Sequence, residues 1–271
     1  MAHKNENQLI HLIKRMNIDF SIYVHLDLKS QIDPERIAKF KNTFVFKNYR
    51  STWGSYGTIE VEYLLMKEAY YDKCDYFILL SGQDYPIKSN KAIANFCEAN
   101  SRCVFLEKSL MPVSTINGNG GLDRVMYYWE DADIKGIIQI SKSVANRIVR
   151  KLGRSQRAKD YQFHFGSNWF NLPRLAVYGI LIYIDNHPEY MIRFKQTRMA
   201  DEIWLQTLIH MTWKGDLKKT NLRYIDWEKG PEHPRILRED DIIMALESDA
   251  LFARKFDEYE YPIPYHVLDK I

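Results

Sequence analysis

A chain of 271 residues is long enough for one large α/β domain or two small ones, and 46% apolar with 14% aromatic residues argues for a packed interior and against disorder. A formal charge of +3 is too mild to argue for nucleic acid, yet it permits a locally basic pocket for an anion. Three cysteines, Cys74, Cys97 and Cys103, are odd in number and lack metal-ligand spacing, so they read as reduced thiols.

Met1 to Gln8 is polar and no apolar signal core follows; the longest apolar stretch, Leu175 to Ile184, is too short to span a bilayer. The expectation is a cytoplasmic protein, at most peripheral to the inner face of a membrane.

Leu9, Leu12, Ile13 and Met16 recur at helical spacing, so the chain opens on an amphipathic helix. Phe20 to Leu26 reads as a strand, Pro34 to Lys41 as a helix and Thr43 to Phe46 as a short strand. Ile59, Tyr63, Met66 and Tyr70 mark one face of the next helix. Tyr76 to Leu80 is an apolar run that fits a strand covered on both faces. It stops in Ser81, Gly82, Gln83, Asp84 and Pro86, a polar turn at the sheet edge where α/β proteins bind ligands. Ser89 is a good N-cap for a helix through Asn100, and Cys103 to Leu106 is the next strand. The alternation predicts a mainly parallel, doubly wound sheet, with the oddity that the chain starts on a helix.

The stretch from Glu107 to Tyr161 is irregular. Asn117 to Gly121 is a flexible loop, and 143–160 is rich in Lys and Arg, which reads first as a solvated face. Its sharper reading is contact with anionic lipid or a phosphate-bearing acceptor. Regular structure returns with a strand over Phe163 to Leu172, a helix from Pro173 and a helix beginning at Asp201-Glu202. A strand over Leu222 to Trp227 and a last helix near Glu239 complete the series.

No dinucleotide fingerprint, P-loop, nucleophile elbow or zinc-protease motif is present. Asp131-Ala132-Asp133 matches a metal-binding DxD but sits in the irregular middle, so it reads as surface acid. Asp201-Glu202 is either dipole complementarity or a general base. Arg254 and Lys255, bracketed by Phe252 and Phe256, are half-buried cations that need an anion nearby.

YVHLDLKS (23–30), WGSYGTIE (53–60), LLSGQDYPIKS (79–89), GSNWF (166–170), DEIWLQT (201–207), HPRIL (233–237) and LFARKFD (251–257) follow one another in an order that resembles the core-2/I-branching β-1,6-N-acetylglucosaminyltransferase and peptide O-xylosyltransferase family. The resemblance implies a single GT-A-like (Rossmann-like) α/β domain with helices on both faces of the sheet and its first strand missing or truncated. Residues 1–107 would form the nucleotide-sugar half and 162–257 the acceptor and catalytic half. It also implies an inverting, metal-independent enzyme that moves a sugar, GlcNAc first, from a UDP-sugar to a glycan or lipid-linked oligosaccharide.

Carried over by position, Glu202 is the base, while Arg235 and Lys255 hold the diphosphate. His3, Asp27 and Ser55 contact the donor and Trp227 packs on the acceptor sugar. Gln83 and Asp84 shape the donor pocket through hydrogen bonds. Without the anchor and cysteine framework of animal members, the chain looks like a bacterial enzyme of surface-polysaccharide synthesis. The alternatives are xylosyl transfer or a non-catalytic nucleotide-sugar or glycan-binding protein.

Overall fold

A computed structural model describes residues 1–52, 54–129, 144–148, 156–228 and 234–271. Helix α1 (Glu6–Met16) starts after Asn5, whose positive φ of 58° a short polar side chain tolerates, and it buries Leu9, Leu12, Ile13 and Met16. Strands β1 (Ile22–His25) and β2 (Thr43–Phe46) pair in parallel, with helix α2 (Pro34–Ala38) between them in sequence. Helix α3 (Tyr56–Tyr71) buries residues around much of its circumference, including Ile59, Glu62, Leu65, Met66 and Ala69, as an interior helix does. Ser89 caps α4 (Asn90–Ala99) by accepting the Ala92 amide, 3.2 Å.

A second sheet runs in the order β3 (Tyr76–Ile78), β8 (Phe170–Pro173), β5 (Cys103–Leu106), β9 (Asp216–Lys218); β8 is antiparallel to both neighbours and β5 is parallel to β9. A third joins β10 (Arg223–Ile225), β11 (Phe252–Arg254) and β4 (Asp84–Pro86), and β6 (Ser109–Leu110) pairs with β7 (His164–Phe165). Three of these ladders are parallel and four antiparallel, so the α/β expectation holds while the sheets are mixed rather than mainly parallel. The two halves read from sequence share sheets, since β3 pairs with β8 and β4 with β11.

Two stretches of strand differ from the sequence reading. The turn at 81–86 contains β4, because Asp84 to Pro86 finds a partner in β11, far along the chain. The single strand expected over Phe163 to Leu172 is split into β7 and β8. The break is at Gly166, where a Cβ would lie 1.8 Å from the Glu107 carbonyl oxygen.

The first two residues are hydrogen-bonded on both sides. The Ala2 amide donates to His25 O (2.9 Å) and the Asp27 amide to Ala2 O (3.0 Å). On the other side the Met1 amine donates to Leu80 O (2.9 Å) and the Gly82 amide to Met1 O (3.0 Å). Behind these two residues a cavity of about 160 Å³ separates β1 from β3.

Candidate active site

The first group of site residues gathers where the chain start meets the segment after β11. Asn5 Nδ2 donates to Asp257 Oδ1 at 2.8 Å and Lys4 Nζ to Asp257 Oδ2 at 2.5 Å. Gln83 Nε2 donates to the same carboxylate at 3.0 Å, and the Phe256 amide donates to Gln83 O. Burial pushes the Asp257 carboxyl up, but these donors outweigh it and hold the group below its usual range. Lys255 projects beside this knot. Burial, then Lys4 and Arg254, lower its pKa, so it is a cation among cations. His3 is lowered by burial and by Lys4, with Asp27 and Lys255 also acting on it, which places three expected donor contacts around one point.

Asp27 is already engaged. Oδ1 accepts the Lys29 amide at 2.7 Å and Oδ2 accepts the Ser51 amide and hydroxyl at 2.5 and 3.0 Å. Its carboxylate therefore ties the loop after β2 to the end of β1. That loop leads to Ser55, the N-cap of α3, whose hydroxyl makes no cap hydrogen bond.

Asp84 is wholly buried on β4, opposite Arg254 on β11, with 3.7 Å between carboxylate and guanidinium. The Arg254 guanidinium lies 4.1 Å from the centre of the Trp169 ring. Here the anion needed by a buried cation is Asp84, and GSNWF supplies the aromatic cover.

The second group surrounds Glu202. It closes a 3₁₀ turn, Ala200–Glu202, just before helix α5 (Trp204–Thr212), so it precedes the helix rather than standing in its first turn. Its Oε2 accepts from Arg124 at 2.5 Å. Burial raises the Glu202 pKa and Arg124 pulls it partly back. Asp201 is buried and pushed up to about 7, by burial first and by Glu202 second. Glu62 of α3, also buried, accepts from Trp204 Nε1 at 2.8 Å and is raised well above the usual range by burial and by Asp201. The Gly166 amide donates to Glu202 O (3.0 Å), and Gln206 Nε2 reaches Ser167 O (2.8 Å), so GSNWF and DEIWLQT are clamped together. Asn168 touches Glu62 while Trp169 covers Arg254, and the Met1 amine feels both Asp84 and Glu62. The two groups therefore share one edge of the molecule.

Motifs far apart along the chain thus contribute to neighbouring parts of one edge, and a family model, that of the Core-2/I-Branching enzyme, matches residues 1–247. The chain belongs to the Core-2/I-Branching enzyme family. Its mixed α/β architecture is consistent with that family's GT-A-like fold. It is similar to the beta-glucuronosyltransferase GlcAT14B of Arabidopsis thaliana, 24% identical over 291 residues, covering all of this chain and 60% of the plant protein's length.

Within this family member, Arg235 and Trp227 stand differently from the other expected residues. Arg235 donates to Asp241 (2.9 and 2.7 Å) and to Asp226, with Glu228 at 3.3 Å, and those hydrogen bonds raise its pKa. Its charge is spent on carboxylates rather than held free beside Lys255. Trp227, two residues past β10, is half exposed. Asp131, Asp133, Trp53 and much of the basic 143–160 stretch lie outside the described residues. Among the described residues no helix is long and apolar enough to cross a membrane, and no group of three His, Cys, Asp or Glu could hold a metal ion.

Sequence reasoning missed Arg124 and Glu62. Arg124 falls in the irregular middle, where nothing local marks it. Glu62 left one usable signal, an acid three residues after Ile59 on the buried side of a helix.

Proposed function

We propose that this chain is the catalytic domain of an inverting glycosyltransferase that uses a nucleoside-diphosphate sugar, with Glu202 as general base. The observation that carries this reading is a shielded carboxylate of raised pKa, at the same edge as the cations Lys4, Arg254 and Lys255. A base tuned upward from the ordinary Glu range takes a hydroxyl proton more readily near neutral pH. Oε2 is occupied by Arg124, so Oε1 receives the acceptor proton. The acceptor oxygen then bonds to C1 of the donor sugar, the C1–O bond to the diphosphate breaks, and its electron pair leaves on the diphosphate oxygen.

Lys255 stabilises that developing charge, because a diphosphate relieves the repulsion it now feels from Lys4 and Arg254. Arg235 joins it only by exchanging Asp226 and Asp241 for phosphate oxygens. Fixed cations doing this work make the reaction metal-independent in our reading, so EDTA should leave it intact. His3, Asp27 and Ser55 frame the nucleotide, and Trp227 offers its exposed face to the acceptor sugar. UDP-GlcNAc is the first donor to test. The plant relative's name adds UDP-glucuronic acid, and UDP-xylose completes the panel. The acceptor we assign is a glycan hydroxyl of a bacterial surface polysaccharide.

UDP release measured across that donor panel tests the activity. Glu202→Gln should lower transfer by about 10²–10⁴-fold with UDP binding retained, and Lys255→Ala should weaken UDP binding. Transfer at wild-type rate by Glu202→Gln would remove the base assignment.

A further inference from the structure

A group of basic side chains that the reaction above does not use gathers where β5 and β6 pass the end of α5. Strand alternation explains why. β5 and β9 pair in parallel with Val104 opposite Leu217, and both side chains, with Leu106, join the core cluster that Leu205, Leu208 and Ile209 of α5 enter. Alternation puts Lys108 and Lys219, two residues beyond Leu106 and Leu217, on that same face. Asp216 and Lys218 fall on the opposite one, beside Cys103 and Phe105. α5 then adds His210 in its last turn, and Lys214 follows the helix. Lys108 Nζ lies 3.3 Å from His210 Nδ1, and His210 Nε2 lies 2.9 Å from Gln162 Oε1. An ammonium can only donate, so Nδ1 accepts, and the neutral ring carries its proton on Nε2, toward the Gln162 oxygen. The His164 ring packs on the His210 ring with 4.0 Å between centres. Lys108 is thus a half-buried cation bonded to a neutral acceptor. After burial, the charges acting on it are Lys219 and Lys214, both of which lower its pKa. Among the described residues no carboxylate forms an ion pair with any of these three lysines.

We propose that Lys108, Lys214 and Lys219, with His210 orienting the first of them, form a subsite for the anionic group of an acidic glycan: a carboxylate, or a sulfate or phosphate ester. The fold brings the three cations together against their own repulsion, and an anion placed among them offsets it. Their ammonium groups supply charge-assisted donors to its oxygens, with the Lys108 ammonium already anchored at His210. A glycan is favoured as the carrier by position and by a neighbouring ring. His210 follows Glu202 by eight residues, about 12 Å along the helix axis, a separation that a short oligosaccharide spans. Trp213, next to Lys214, donates from its indole nitrogen to Asp216 O (2.9 Å), and a Cβ on Gly215 would lie 2.6 Å from its ring. A fixed aromatic beside cations suits a sugar that carries a charge. A lipid surface is disfavoured, because that indole is tied down and Leu110 is the one large exposed apolar side chain within 107–110, 162–165 and 210–220. The choice of a glycan rests on the glycosyltransferase reading, whereas the binding itself requires neither UDP nor Glu202.

The test is an NMR titration of the isotope-labelled full chain, without UDP, with two acidic oligosaccharides and their neutral counterparts: an oligogalacturonate and its carboxyl-reduced form, and a short dextran sulfate and plain dextran. At least one acidic form should shift the amides of Lys108, His210, Lys214 and Lys219 and bind more weakly as salt rises, while the neutral forms leave those amides in place. Lys214→Gln with Lys219→Gln, both at exposed positions that folding does not depend on, should weaken that binding about tenfold. Lys39→Gln with Lys41→Gln removes the same charge at the end of α2 and should change it less than about twofold. Absence of these shifts with both acidic forms, equal binding of a neutral form, or equal loss in the two double variants overturns the proposal. So does inorganic sulfate binding as tightly as the oligosaccharide, which would leave an ion site only. Anionic lipid vesicles that compete for the same amides as effectively would make the face a membrane contact, and would overturn it too. A chain that binds here yet transfers no sugar keeps the subsite and loses the proposed function; one that transfers without these shifts does the reverse.

Discussion

At the scale of single residues, the site is governed by which carboxylates are paired and which are merely buried. Glu202 has Arg124; close by, Glu62 accepts from Trp204 yet is raised by burial and by Asp201, and Asp201 is raised by burial and by Glu202. Removing Arg124 takes away the positive charge that favours ionised Glu202, so its pKa rises. Arg124→Gln should therefore move the acid limb of the pH–rate profile upward by about 1 unit, read from kcat/KM between pH 5 and 8. An unmoved limb would mean that Glu202 is not the titrating base. Asp201 gives a stability effect of defined sign. Its pKa in the fold, about 7, is above the unfolded value of 3.8. Its contribution is fully present below 3.8 and is lost as pH rises through 7. Asp201→Asn, which keeps an acceptor but cannot ionise, should gain stability relative to wild type at pH 8 and not at pH 4, as measured by urea unfolding.

At the scale of elements, the site is made by breaks in regular structure. The strand expected from Phe163 to Leu172 is interrupted so that Gly166 can approach the Glu107 carbonyl and donate to Glu202 O. No side chain fits that approach. Gly166→Ala should destabilise the chain by about 1–3 kcal/mol and disturb Glu202 even in the fraction that folds. The check is urea unfolding alongside residual transfer activity. The helix expected to start at Asp201 likewise begins late, at Trp204, whose indole is held by Glu62. That a helix follows Asp201-Glu202 was legible in the sequence, although Trp204 to Ile209 are all buried rather than one face of them. The 3₁₀ turn that aims Glu202 was not, because a one-turn change of pitch leaves no periodic trace.

At the scale of the molecule, two buried histidines set the response to acid. His25 Nε2 accepts the Asn48 and Tyr49 amides, which requires a neutral ring; burial drives its pKa down to about 4, with the Met1 amine adding to the shift. His164, buried and beside His210 and Lys108, is also lowered to about 4. Both groups contribute stability that is present above about 6.5 and lost as pH falls through 4. Thermal unfolding should show Tm falling between pH 6.5 and 4, and His25→Gln should flatten part of that slope.

The sequence by itself determined the local and the ordinal features of this protein. Period 3.6 marked α1 and α3, an apolar run marked β3, Ser89 marked a helix start, and the order of seven motifs marked the family. These are legible because propensity, patterning and capping act over a few residues. Tertiary structure decided the pairings. Lys4 meets Asp257 across 253 positions, Arg124 meets Glu202 across 78, and Asp84 becomes a strand residue only because β11 comes beside it. It also turned Arg235 into a structural ion pair with Asp226 and Asp241. Charge partners and strand neighbours depend on distances in space. A linear pattern shows that Lys255 is a half-buried cation, and only the folded chain shows which charges surround it.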